Sequence, residues 1–138
     1  GHVRLPHDLK KAPFPGTCPF HGDCFEGLAS GPALARRWKK PAEMLPDNHP
    51  AWEQEALNIA YALVNVILTL SPQRIVLGGG VMEHQPLYAR IRGKVRGLLN
   101  GYPASPVLTG TMEEYIVPPS LGKRSGVLGA LALAKSML

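Results

Sequence analysis

A chain of 138 residues with 45% apolar and 18% charged side chains can build one hydrophobic core and is too sparsely charged to stay disordered. Its formal charge of +5 raises the question of a nucleic-acid partner. The basic residues, however, fall in scattered pairs, Lys10-Lys11, Arg36-Arg37, Lys39-Lys40 and Lys123-Arg124, without interleaved aromatics, so a solvated surface is expected and no nucleic-acid partner. The first residues carry no secretory pattern, and the longest apolar run, residues 59–70, is broken by Asn65 and too short to cross a bilayer.

Residues 1–5 open directly on the strand-like Val3-Arg4-Leu5, which favours a piece of a longer chain over a Gly1-His2 expression scar. Residues 1–24 are rich in Pro, Gly, His and Cys, show no further period, and need a staple to hold a shape. Residues 23–38 read as one or two short helices, with Ser30 as N-cap and Pro32 just inside the start, where its missing N–H costs nothing. Residues 39–50 read as a Pro-rich loop. The spacing of Leu57, Ala60, Tyr61, Val64, Ile67 and Leu68 predicts a helix over 51–70 with these residues on its buried face, ended by Ser71-Pro72. Residues 74–77 read as a buried strand running into Gly78-Gly79-Gly80. A helix follows from Pro86 to about residue 100, with Leu87, Ile91, Val95 and Leu98 or Leu99 facing inward and Gly101 as its stop. Residues 115–117 read as a second strand. Residues 125–138 form a closing helix, apolar nearly all round and therefore expected to be buried. Strands alternating with helices give an α/β architecture with a parallel or mixed sheet.

Two sets of residues carry chemistry. Cys18, His21 and Cys24 stand at three-residue steps around a Gly-containing turn, and thiolates with imidazole nitrogens are the ligands a tetrahedral structural zinc site uses. His2 or His7 can complete the set. The competing reading is a Cys18–Cys24 disulfide, which leaves His21 without a role and requires an oxidising compartment. The second set is Gly78, Gly79 and Gly80, directly after a strand, where glycine lets a backbone approach a ligand closely. The triplet lacks the spacing of a dinucleotide fingerprint and the lysine of a P-loop, and on its own reads equally well as a tight strand-to-helix turn.

Gly1-His2, Cys18-Pro-Phe-His21-Gly-Asp-Cys24-Phe-Glu26-Gly-Leu-Ala-Ser-Gly-Pro32, Leu77-Gly-Gly-Gly-Val-Met82, Ile116-Val-Pro-Pro-Ser-Leu-Gly122 and Ser125-Gly-Val-Leu-Gly129, taken in order, resemble the ROK (repressor, open reading frame, kinase) family of sugar kinases over essentially the whole chain. The histidine inside the cysteine cluster resembles the fructokinase branch, where glucokinase-like members typically carry a third cysteine. The resemblance implies the C-terminal half of an actin/hexokinase-like kinase, a ribonuclease-H-like α/β domain. Residues 1–26 would be a zinc-binding loop segment and 27–138 the C-terminal kinase domain. It implies His2, Cys18, His21 and Cys24 as ligands of a structural zinc, with His2 beside the sugar and Glu26 bonding sugar hydroxyls. Without that resemblance, Glu26 reads as a carboxylate at a helix start. Gly78, Gly79, Gly80 and Val81 match the adenosine loop, with Pro32 bordering the nucleotide.

The implied co-substrates are Mg-ATP and a hexose, fructose first, in a cytoplasmic enzyme; a homodimer is within the expectation. The family's Asp-x-Gly-Gly-Thr phosphate loop, the Asn-Asp pair supplying the catalytic base, and the second Gly-rich phosphate loop are not present. No catalytic residue is therefore expected in this chain, and its implied partner is the missing N-terminal half. The alternatives are a sugar-responsive ROK regulator and a stand-alone zinc-stapled binding module.

Overall fold

The computed structural model describes residues 1–102 and 111–137. Two short helices, α1 (Phe25–Leu28) and α2 (Gly31–Trp38), precede a 3₁₀ turn (Ala42–Met44) and the long α3 (Pro50–Leu70). Strand β1 (Ile75–Val76), a 3₁₀ turn (Gly80–Glu83) and α4 (Pro86–Leu99) follow. Beyond them come α5 (Met112–Tyr115), strand β2 (Ile116–Val117), a 3₁₀ turn (Gly122–Arg124) and α6 (Ser125–Ser136).

The helix signals act locally and the structure reproduces them. Ser30 caps α2, its Oγ accepting from the Ala33 N–H at 3.3 Å, with Pro32 in the first turn. Asn100 and Gly101 both take left-handed conformations past the end of α4, the geometry that closes a helix C-terminus.

The main core lies between α3 and α4. Trp52, Ala56, Ile59, Leu63 and Ile67 pack with Leu87, Ile91, Val95 and Leu99, and Ile116 of β2 joins them. The inward face of α4 is as expected, with Leu99 buried and Leu98 turned toward solvent. The inward face of α3 is as expected only at Ala60 and Ile67, both fully buried. Leu57, Tyr61 and Val64 are only partly buried and Leu68 is exposed. Both candidate stripes obey the three-four spacing, because α3 is apolar on most of its circumference, and the position of α4 decides between them.

Strands β1 and β2 pair in parallel, Ile75 with Ile116 and Val76 with Val117, and the Leu77 N–H extends the ladder to the Val117 carbonyl at 2.9 Å. Arg92 of α4 donates from Nε and Nη2 to the Ile116 carbonyl, at 3.0 and 2.6 Å, tying the helix to the sheet. The first strand was expected to be buried, but Val76 is 61% exposed, while Ile75 and Ile116 pack toward the core from the other face of the described sheet.

The closing helix corrects a second expectation. None of the described α6 residues is buried; Val127 is 67% and Leu133 65% exposed, and among the described elements its main packing is on the 3₁₀ turn before it. An apolar circumference signals that a helix belongs in an interior without supplying the surface that makes one. Leu138 lies outside the described residues.

A smaller cluster of Leu5, Phe14, Leu28, Ala33 and Ala62 seats the irregular N-terminal segment on α1, α2 and α3. Near it, α3 buries two polar side chains. Asn58 is satisfied, donating to the Leu28 carbonyl at 3.2 Å and accepting from Gln54 at 3.0 Å. Glu55 is 1% exposed and its Oε1 has no partner. Burial pushes its carboxyl up to about 8, against the opposing pull of Arg37.

Candidate metal centre and glycine-loop cavity

The turn through residues 18–24 is built by backbone pairing. The Cys18 N–H donates to the Gly22 carbonyl at 3.2 Å and the Gly22 N–H returns to the Cys18 carbonyl at 3.0 Å. The first residues lie alongside it: Phe25 N–H donates to the Val3 carbonyl at 2.8 Å and Glu26 N–H to the Gly1 carbonyl at 2.9 Å. Arg4 clamps the turn through the His21 carbonyl and the Asp23 carboxylate, both at 2.8 Å.

This scaffold brings one donor atom each from His2, Cys18, His21 and Cys24 within 4.8 Å of one another. His2 Nδ1 lies 3.6 Å from both Cys18 Sγ and Cys24 Sγ, and His21 Nδ1 lies 3.7 Å from Cys18 Sγ. One imidazole nitrogen at the same distance from two sulfurs is poor hydrogen-bond geometry and good ligand geometry. A tetrahedral zinc with its usual bonds to sulfur and nitrogen sets those atoms about 3.6 Å apart. The donor set therefore fits a four-coordinate ion, and both cysteines are free thiols. Burial opposes ionisation of Cys18, but backbone hydrogen bonds from His21 and Phe20, with the His21 and Cys24 side chains, bring its thiol down to about 7. Position separates His2, which stands within the cluster, from His7. Both His7 ring nitrogens are engaged elsewhere, with the Asp23 carboxylate at 3.1 Å and the Ala12 carbonyl at 3.0 Å.

Glu26 places Oε2 3.6 Å from His2 Nε2, on the side of the ring away from the cluster. That is where a carboxylate orients a metal-binding imidazole. Glu26 is also half exposed, so it can meet a ligand.

The turn tolerates no side chain at two glycines. A Cβ on Gly27 would fall 1.9 Å from the Gly22 carbonyl oxygen, and one on Gly16 2.0 Å from the same atom, with Gly16 at φ +81°. Gly27→Ala is expected to displace the 18–24 turn and cost roughly 2–4 kcal/mol, the range of severe packing and strain defects. Metal titration and thermal unfolding check this. A Gly27→Ala protein that binds metal and melts like the parent contradicts the described turn.

The second site lies beyond the carboxyl ends of the two parallel strands. A cavity of about 670 Å³ opens there, with Gly78, Gly79 and Gly80 after β1 on one side and Pro118, Pro119, Gly122 and Lys123 after β2 on the other. Met82 and Tyr88 add apolar surface, and the Tyr88 hydroxyl donates to the Leu77 carbonyl. The walls converge at the base, where a Cβ on Gly78 would lie 3.2 Å from Pro119 Cγ. Val81 faces a smaller cavity of about 300 Å³, shared with Trp52 and with His84, whose ring stacks on Trp52 at 3.8 Å.

The structure thus gathers Gly78, Gly79 and Gly80 around one space and puts Val81 on the adjoining one. Pro32 is exposed and lines neither cavity, although a Cβ on its neighbour Gly31 would come within 4.0 Å of Val81. The wall after β2 was missed. Its signal was present, since Pro118 and Pro119 follow one strand as the glycines follow the other, but its meaning depends on the two strands being neighbours.

A profile of the ROK family spans residues 1–137, and the chain belongs to that family. A protein of Bacillus subtilis (strain 168) is 45% identical over 141 residues, a stretch that covers 100% of this chain and 46% of that protein. Fructokinase of Pediococcus pentosaceus is 41% identical over 138 residues, covering 100% of this chain and 46% of its own. Fructokinase of Streptococcus mutans serotype c is 40% identical over 141 residues, covering 99% and 46%. The chain spans about half the length of the curated relatives it matches. Among the described residues no helix is long and apolar enough to cross a membrane.

Proposed function

We propose that this chain is the zinc-, sugar- and adenosine-binding C-terminal half of an ATP-dependent hexose kinase of actin/hexokinase-like fold, with fructose as the sugar. The observation that carries the reading is the cavity beyond β1 and β2. In open α/β sheets ligands bind outside the carboxyl ends of parallel strands, and here that position is walled by glycines that leave the backbone bare. The names of the Pediococcus and Streptococcus relatives supply the substrate. Two free thiols as metal ligands suit the reducing cytoplasm.

In this reading His2, Cys18, His21 and Cys24 hold a zinc whose contribution is structural, since four protein ligands leave no open coordination position. The segment so fixed points Glu26 toward the sugar hydroxyls. The adenosine of Mg-ATP rests on Gly78, Gly79 and Gly80, with Val81 and the Gly31–Pro32 start of α2 behind the loop. Phosphoryl transfer needs positioning, charge stabilisation and a base at the attacking hydroxyl. The base and the phosphate cradle belong to the N-terminal half.

A coupled ADP-release assay with fructose, mannose and glucose tests this. The chain extended to the length of its relatives is expected to turn over fructose, and the 138-residue chain to show no turnover, because loss of a base alone costs about 10² to 10⁴ in rate. Robust turnover by the 138-residue chain refutes the division of labour. Failure of the extended protein on all three sugars refutes the kinase reading. Gly79→Val probes the loop: Gly79 sits at φ +110°, which a branched side chain strains, and an added Cβ meets no protein atom within 4 Å, so the substitution shifts the loop backbone and projects into the open space beside it. ATP affinity of the extended protein is expected to fall about tenfold or more. Unchanged affinity in a folded variant removes Gly79 from the site.

A further inference from the structure

The glycine-loop cavity has an apolar side and a charged mouth. Glu83 and Lys123 are the charged residues among its described lining, one from the turn after β1 and one from the turn after β2. They meet across the opening, Lys123 Nζ 2.9 Å from Glu83 Oε2. The lysine is 81% exposed and the glutamate more than half exposed, so the pair stands in water, where an ion pair is weak and easily exchanged.

We propose that Lys123 is a specificity-determining residue of this cavity, taking the phosphate charge of a bound nucleotide while Glu83 holds it when the cavity is empty. The proposal rests on the adenosine reading above and assigns the polar end of the same space. Met82, Tyr88, Pro118 and Pro119 offer a nucleobase an apolar wall, and bare glycine backbone lies opposite. What that wall does not provide is a partner for phosphate. Lys123 is the one cation of the described lining, and it is presented on a flexible stem at the mouth. A diphosphate or triphosphate carries more negative charge than the single carboxylate of Glu83, so exchange of partners favours the nucleotide. A cavity of about 670 Å³ is within the size range of small-molecule sites.

The test is a titration of the ¹⁵N-labelled 138-residue chain, followed by amide shifts, with adenosine and with ADP. ADP is expected to bind about tenfold tighter than adenosine, the scale of one charge-assisted contact, and the gap is expected to narrow as salt is added. Lys123→Ala should close most of the gap by weakening ADP, with a much smaller effect on adenosine. Lys123→Arg should keep it, and Glu83→Gln should tighten ADP alone. Both side chains are exposed, and a thermal melt of each variant verifies folding. If Lys123→Ala weakens adenosine and ADP equally, the lysine only braces the two walls, and the proposal is overturned while the adenosine reading stands. If ADP and adenosine bind alike in the parent chain, the proposal is likewise overturned. If neither ligand shifts the amides of Gly78, Gly79 and Gly80, the adenosine reading falls and the role of Lys123 falls with it.

Discussion

Cys18→Ser, or removal of metal by a strong chelator, is expected to loosen residues 1–26 while the α3–α4 core stays folded. The two regions rest on different support. The core buries Trp52, Ile59, Ile67, Leu87, Ile91 and Val95 in one contiguous cluster, whereas the N-terminal segment contributes Leu5 and Phe14 to a cluster of five residues. Its remaining cohesion is the 18–24 turn, the exposed or half-buried hydrogen bonds that lay residues 1–7 beside it, and the four donors, so a bound ion supplies much of its folding free energy. Elemental analysis should find about one zinc per chain, and Cys18→Ser should weaken zinc binding by at least about 100-fold, more than the loss of an outer-shell partner. Amide exchange should accelerate at Phe25 and Glu26, whose N–H groups are held by Val3 and Gly1, and remain slow at the centre of α3. Uniform acceleration along the chain, or protein purified without any transition metal, would count against the centre.

The second large effect is a pH-dependence of stability set by Glu55. Its carboxyl is forced up to about 8 by burial, with Arg37 acting in the opposite direction. A carboxyl with a raised folded-state pKa binds its proton more tightly in the native chain than in the unfolded one. Stability from this source is therefore greatest below the ordinary carboxylate range and declines as pH rises toward about 8, at a limiting slope of about 1.4 kcal/mol per pH unit. Glu55→Gln keeps the shape and cannot ionise. Urea unfolding of the two proteins at several values between about pH 5 and pH 9 should show the variant gaining on the parent as pH rises toward about 8, with the difference levelling off above it. Taking the difference removes Cys18, which titrates in the same range but is common to both. Parallel pH profiles would mean that Glu55 is not buried as an acid.

What could be read from the amino-acid order was what neighbours in the chain decide. The Ser30 cap, the stop at Asn100-Gly101, the inward stripe of α4 and the metal cluster all depend on residues close in sequence, with His2 the one donor brought from a distance by pairing beside Cys24. The failures share a different cause. The face of α3 depends on where α4 lies, and either stripe of a helix apolar on most of its circumference satisfies the same period. The exposure of Val76 depends on what covers a sheet of two described strands. The proline wall opposite the glycines exists only because β1 and β2 are adjacent. Glu55, in the polar run Glu53-Gln54-Glu55 near the start of α3, gave no sign that it would enter the interior without a partner for Oε1.

Helix α6, whose described residues are exposed or half-buried, also governs how the chain behaves as a solute. It offers water a rod of hydrocarbon, and collisions between molecules can remove that surface at no cost in lost native contacts. Opposing this is the mutual repulsion of chains carrying +5 each, which is long-ranged in dilute buffer and shrinks to within several ångströms as salt is added. The attraction between apolar rods meanwhile weakens on cooling. Colloidal stability is therefore expected to be best in cold, low-salt solution and to fail on warming or on addition of sulfate, a precipitation that requires no unfolding of the α3–α4 core.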